Sequence, residues 1–520
     1  MKLIYGVKDR PKPAQTLLFA LQQLLAILAA TIAVPIAVNE MQPGTDMSIS
    51  AALFGAGAGT IVYQLFTKFK SPVFLGSSFA FIGSMAAAFA GAATVSMGYL
   101  GLIIGAVFAG LVYVVIAVAV KFAGVKWIDK IMPAAVIGPT VALIGLSLAG
   151  SAVSNALSTT ADASGNYPMD VHGILCLLCA LVTLAVTIVC SVYGKKTLKM
   201  IPFIIGILSG YALAAVLTGF SYLPGAESMR IIDFTLFNEM QWVPDFTFVE
   251  GFFHNEWGSF TDVGAYIGTV AVAYVPVAFV VFAEHLADHK NISSIIEHDL
   301  LTDPGLSRTL LGDGVGSIVG AFFGGCPNTT YGESIGCVAI SGNASVISIT
   351  LTAILAVVCA FIAPFVTFLA TIPSCVMGGV CIALYGFIAV SGLKMIQKVD
   401  LNENSNLFVV STILVTGVGG MALSFGKVTV TAIASALILG ILVNLLVNIR
   451  RKGSAAPAAP VSEGDTVLTE NAAPVSEGDA VLAEENAPMS EADAASAENR
   501  ASMTEDAMQA SAPAQQEERK

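Results

Sequence analysis

Few side chains in this sequence could do polar chemistry, and they gather in three short stretches. In "GGCPNTTYGESIGCV" (324–338) a proline and several glycines surround the carboxylate of Glu333. The part before it reads as extended, and a helix is predicted to begin around Glu333. The amides and positive end of that helix would face an anionic or acceptor-bearing solute. In "VVFAEHLADHK" (280–290), Glu284 and Asp288 stand four residues apart, on one helix face, while His285 points about 100° away. In "SPVFLGSSFAFIGSM" (71–85), Phe79 offers a ring on which a planar molecule can stack. Carboxylates accept from N–H groups and backbone amides donate to carbonyls. Two carboxylates, two sources of amides and a ring suit the edge of a pyrimidine or purine.

Other chemistries find less support. On periodicity alone Glu284 could instead simply face water at the end of its apolar run, the less favoured reading, and His285 and His289 fit structural or interfacial roles. Asp313, in "LLGDGVG", is expected to begin a helix as its N-cap or as a first-turn acid. Its "GDG" lacks the upstream glycine of an intramembrane aspartyl protease. Cys176 and Cys179 form a CxxC inside an apolar run, where they read as small hydrophobes. No zinc pattern, P-loop or dinucleotide fingerprint occurs. With no nucleophile–base pair either, the expectation is no enzyme, no catalytic residue, no cofactor, no metal and no nucleic-acid partner.

What must position these residues is set by composition. Of 520 residues, 56% are hydrophobic and 12% charged, with 49 glycines and a mean hydropathy of +0.80. A chain this apolar is expected to be a polytopic, all-α membrane protein. Apolar segments recur at 16–38, 48–67, 73–92, 98–121, 132–153, 172–192, 200–220, 264–286, 308–325, 328–346, 347–371, 374–393, 406–424 and 428–449, which makes fourteen. The first exceeds the length of a signal peptide's apolar region and has no small-residue cleavage site, so it reads as a retained span. Basic loops such as "TKFK", "YGKKTLK" and "IRRK" alternate with loops nearly free of Lys and Arg. Positive charge inside then puts both termini in the cytoplasm of a multi-pass protein of the cytoplasmic (inner or plasma) membrane. The segment 221–263 lies outside with Arg230 as its basic residue, and Trp242 and Trp257 suit an interface.

The third and tenth segments mix small, β-branched and helix-breaking residues at membrane depth. Such backbone survives only buried in protein or lining a cavity. They hold matching positions in two halves of seven, and seven is odd, so the second half is expected to be inverted. An inverted repeat with a broken segment in each half points to a secondary transporter. The net charge of −12 belongs to the far end: residues 455–520 carry 14 acidic and 3 basic residues. There "APVSEGDTVLTENA" and two variants begin at Ala459, Ala473 and Ala487, a composition expected to stay disordered.

Through "LGSSFAFIG", "AEHLADH", "DPGLSRTLLGDG", "PNTTYGESIG" and "VMGG" followed by "LYG", the chain resembles the nucleobase–ascorbate transporters, the xanthine/uracil permease family, and within it the bacterial uracil branch. The resemblance implies fourteen spans in two inverted sevens with short strands in spans 3 and 10. It also implies a core domain (16–122 and 264–371) and a gate domain (123–220 and 372–450), between a cytoplasmic N-terminus (1–15), an outer loop (221–263) and the tail (451–520). By the same resemblance Glu284 and Glu333 hold the base, Phe79 and Gly332 give backbone N–H groups to its carbonyls, and Tyr331 flanks it. Three positions depart from the family pattern: Gln23 stands where many members have histidine, Asp288 where some uracil permeases have histidine, and Ser334 where asparagine is usual.

The expected function is uracil uptake by proton symport. Desolvation disfavours a charged carboxylate, so protonation of Glu284, assisted by Asp288 or His285, would accompany loading and let the core domain move against the gate domain. Xanthine, urate or another base as substrate, sodium as coupling ion and a passive channel stay open as alternatives. A homodimer is the assembly the relatives suggest.

Overall fold

The computed structural model describes residues 3–124, 127–162, 164–254, 263–425 and 428–449. The acidic repeats and Trp257 lie outside the described residues. Among the described residues, eight helices are long and apolar enough to cross a membrane: Pro13–Met41, Ile49–Phe66, Val95–Ala123, Ala134–Leu157, Val171–Tyr193, Pro202–Phe220, Val263–Ile296 and Ser374–Ile396. This is a multi-pass membrane protein. Val346–Cys359 and Ala363–Ala370 form a further crossing if counted together, bent by 84° at the break between them. Asn404–Val418 and Ala432–Asn448 are apolar but shorter. Side-chain caps start several of these helices. Ser48 accepts from Ala51 N, Thr94 from Met97 N and Asp170 from Gly173 N.

Three details differ from the sequence-based expectation. Val263–Ile296 continues well past residue 286, carrying the polar "HLADHKNISSII" in helical form. Between the last two helices, Leu423–Phe425 pairs antiparallel with Val428–Val430, where helical sequence was expected up to 424 and from 428. Val, Thr and Phe in these triplets favour extended backbone. Asp313 does not begin a helix. Its helix spans Leu306–Gly324 and starts after Gly305 (φ +96°), which places Asp313 in mid-helix and fully buried. The glycine and the preceding proline end the earlier chain direction there, so the start falls at Leu306.

Small residues set the closest helix contacts. Ile49–Phe66 packs on Leu306–Gly324, and Ala134–Ser147 packs on Ser374–Ile396. A methyl group added at Gly55 would lie 2.6 Å from the Gly320 carbonyl oxygen, and one at Gly59 2.7 Å from that of Gly316. At Gly392 it would lie 2.1 Å from Ala142 N. In lipid, where apolar burial gives no preference for helix over lipid tail, such backbone contact supplies the packing.

Candidate functional site

The two helix-breaking stretches meet. Strand β1 (Leu75–Ser77) pairs antiparallel with β2 (Asn328–Thr330), in the register Leu75↔Thr330, Gly76↔Thr329 and Ser77↔Asn328. The pairing continues beyond the strands: Tyr331 N donates to Phe74 O at 3.1 Å, and Ser78 N to Pro327 O at 2.9 Å. Leu75 N donates to Thr60 Oγ1 at 2.9 Å, and Asn328 Nδ2 to Gly55 O at 3.0 Å. Backbone groups that a break would expose at membrane depth thus find partners in protein. Gly76 admits the Tyr331 ring, since a methyl there would lie 2.2 Å from it. The Tyr331 hydroxyl donates to Ser77 O at 3.0 Å.

After β2 a helix begins at Gly332 and runs to Ser341, with Glu333 in its first turn. The first amides of a helix have no partner within it. A methyl added at Gly332 would meet nothing within 4 Å, so the backbone here is open to an approaching molecule. It faces a cavity of about 430 Å³, lined also by Phe79, Glu284, Asp288, Thr330, Tyr331 and Glu333. That volume lies within the usual range for small-molecule sites. Glu284, Asp288 and Glu333 are half-buried, and all three lie on the cavity wall. Leu384, Phe387, Ile388 and Ser391 of helix Ser374–Ile396 line the same cavity. From the same helix, Tyr385 meets Phe79 edge to face, with ring centroids 5.8 Å apart.

Phe79, Glu284, Asp288, Tyr331, Gly332 and Glu333, scattered over 255 residues of sequence, are therefore brought to one cavity. His285 is not. It lies behind the wall, with Nδ1 2.7 Å from Asp313 Oδ2 and Nε2 3.0 Å from Thr309 Oγ1. Its ring stacks on that of His289 at 4.0 Å. His289 Nδ1 donates to the His285 carbonyl at 2.8 Å, and its Nε2 lies 2.7 Å from the Tyr63 hydroxyl.

Several contacts had no signal in the sequence. Thr330 Oγ1 donates to Asp288 Oδ2 at 2.6 Å, fixing that carboxylate against β2. Gln23 Nε2 donates to Ser334 Oγ at 2.5 Å, and Phe74 N donates to the same hydroxyl at 3.2 Å. Two of the three departures from the family pattern thus touch each other. Lys199, exposed on the short helix Lys196–Met200, also reaches the cavity wall. Its place in a basic loop was plain in the sequence, but its reach to the site was not.

The family model Xan_ur_permease, described as "Permease family", matches residues 14–425. Among known proteins, the uracil permease of Bacillus caldolyticus is 38% identical over 452 residues, covering 86% of this chain and 95% of that protein. The uracil permease of Escherichia coli (strain K12) is 34% identical over 443 residues, covering 85% and 93%. Among solved structures, the transmembrane domain of a cyanobacterial bicarbonate transporter, BicA, superposes with a TM-score of 0.55 at 16% identity, covering 83% of this chain and 97% of that one. The murine anion transporter Slc26a9, solved in its inward-facing state, gives 0.57 at 14% identity, over 85% and 69%. At such identities the likeness concerns the fold.

Proposed function

We propose that this chain, which belongs to the xanthine/uracil permease family, takes up uracil across the cytoplasmic membrane by proton symport. The observation that carries the reading is the convergence of Glu284, Glu333, the Gly332 amide end and the Phe79 ring on one cavity. Uracil presents N–H and C=O groups along one planar edge. The carboxylates accept from the former, and the backbone N–H groups of Gly332 and Phe79 donate to the latter. Tyr331 flanks the base from β2. The names of the uracil permeases to which the chain is similar favour this pyrimidine over xanthine or urate.

Coupling is assigned to Glu284 and Asp288, with His285 held behind them by Asp313. A carboxylate at membrane depth is costly when charged. A proton on Glu284 removes that cost as the base enters, and the loaded site can then move. In this reading fourteen crossings form two inverted sevens. Helices before residue 123 and between 264 and 371 make the moving core, and the rest make the gate. Helix Ser374–Ile396 and the Tyr385–Phe79 contact then lie at the sliding boundary. Lys199 lines the cavity and comes from a basic loop, so by the positive-inside rule its part of the wall is on the cytoplasmic side in this reading.

The test is uptake of radiolabelled uracil into cells lacking their own permease, with and without a protonophore and with excess unlabelled xanthine. Accumulation that the protonophore abolishes and xanthine leaves alone is expected. Uptake that only equilibrates and ignores the protonophore would make the protein a passive channel. Replacing Glu284 with Gln is expected to abolish accumulation, and undiminished proton-driven uptake by E284Q would remove Glu284 from the coupling role.

A further inference from the structure

Away from the cavity, the helices Val171–Tyr193 and Ser374–Ile396 touch near their starts: a methyl added at Gly379, one turn after Cys375, would lie 2.4 Å from the carbonyl oxygen of Ala180, which follows Cys179. Cys176, Cys179 and Cys375 are all buried there. No disulfide joins them. Cys176 and Cys375 also line a second cavity of about 240 Å³ whose rim carries the exposed Asp233. His172 lines it too, with Nε2 3.4 Å from Cys176 Sγ. Its other nitrogen, Nδ1, lies 3.0 Å from the carbonyl oxygen of Ser228. A carbonyl only accepts, so Nδ1 carries a proton, and when the ring is neutral it is Nε2 that faces the thiol as an acceptor. A base beside one thiol and a second thiol beside that is the arrangement of an attacking and a resolving cysteine.

We propose that Cys176 and Cys375 form a redox-active pair, open to a small hydroperoxide through this cavity and served by His172 as base. The proton of Cys176 passes to His172 Nε2, and the sulfur attacks one peroxide oxygen. The O–O bond breaks, the departing oxygen takes the proton from His172 and leaves as water or an alcohol, and Cys176 becomes a sulfenic acid. The sulfur of Cys375 then attacks that of Cys176. An S–S bond forms, the S–O bond breaks, and the hydroxide leaves as water with the Cys375 proton. The two thiols lose two electrons in all and the peroxide gains them. The resulting bond would tie together the starts of two helices, whatever the main cavity carries.

The experiment treats the full chain in native membranes with hydrogen peroxide. Remaining thiols are then counted by a mass-shifting maleimide under denaturing conditions, and the linkage is mapped by peptide mass spectrometry. Of the eight cysteines, two are expected to become unreactive, linked as Cys176–Cys375 and restored by dithiothreitol. In Cys375→Ser, which should retain uracil uptake, oxidation is expected to stop at a sulfenic acid on Cys176 that dimedone traps. His172→Asn is expected to slow disulfide formation by at least about tenfold and to flatten its pH dependence, as loss of a positioned base does. Eight free thiols after treatment, or a link through any other cysteine, would overturn the assignment; an unchanged rate in His172→Asn would overturn the role of the imidazole.

Discussion

At the scale of single residues the proposed site needs two kinds of polar group, those that would face the solute and those that fix the ones that do. Glu333, on the cavity wall, is proposed for the first kind. A hydrogen bond to a charged group contributes about 1.5–3 kcal/mol, so Glu333→Gln is expected to weaken uracil binding by roughly 10- to 150-fold. Calorimetry on the purified protein checks this, and unchanged affinity would place the solute elsewhere. Ser334 is of the second kind. Its hydroxyl accepts from Gln23 and from Phe74 N, both in buried surroundings. Ser334→Ala leaves Phe74 N unpaired and Gln23 Nε2 with the Ser334 carbonyl oxygen alone, at 3.2 Å; an unpaired buried group costs about 1–3 kcal/mol. Its melting temperature is expected to fall, and Gln23→Leu added to Ser334→Ala to recover part of the loss. A double variant no more stable than the single one would mean that Gln23 finds another partner. The Gln23–Ser334 contact joins residues 311 positions apart. The sequence revealed each as a departure from the family pattern and gave no sign that they compensate.

Among the elements, the paired strands place the site. Two three-residue strands would be marginal in isolation; here they are held by the helices Ile49–Phe66 and Leu306–Gly324 through Thr60, Asn328 and their facing glycines. Gly76 is the tightest point. A methyl there meets the Tyr331 ring, and overpacking of this kind costs about 1–3 kcal/mol. Gly76→Ala is therefore expected to lower the melting temperature and to reduce uracil uptake, since Tyr331 flanks the cavity. Gly83, in the helix following β1, is the control. A methyl at that position meets nothing within 4 Å, and alanine in a helix is favoured over glycine by roughly 0.5–1 kcal/mol. Gly83→Ala should be neutral or slightly stabilising, and equal losses in both variants would detach the effect from the Tyr331 contact. The helix break was legible in the sequence because glycine, proline and β-branched residues act locally. The register was not, because it depends on which residues of two distant segments come to face each other.

For the whole molecule, loops as well as helices hold the arrangement. Lys70, just ahead of β1, donates to Asp303 Oδ1 at 2.5 Å, and Asp303 lies in the loop that enters Leu306–Gly324. The bond from Lys70, with the charges of Lys70 and His298, holds the Asp303 carboxyl below the usual carboxylate range. A lowered folded value means that the clasp stabilises the protein above the ordinary carboxylate pKa of about 3.9 and is lost as pH falls through the folded value. Asp303→Asn is expected to melt slightly lower at neutral pH and to show a shallower loss of stability on the acid side. Thermal unfolding followed across pH checks this, and identical acid slopes would show that the clasp carries no linkage. The pair is substantially exposed, so the effect should be small and should shrink in high salt.

The sequence by itself determined that the chain crosses the membrane many times, where its two backbone breaks fall, and which carboxylates stand near them. These are local properties: hydropathy, the helical period and the conformational limits of glycine and proline act over a few residues. Tertiary structure alone decided that β1 pairs with β2, that Asp288 is fixed by Thr330, and that Asp313 turns from an expected helix start into a buried partner of His285. It also decided that Lys199 reaches the cavity and that Cys375 lines one small cavity with Cys176, some 200 residues earlier. Each of these depends on the packing of remote helices, where one methyl group at a glycine contact is enough to change which side chains meet.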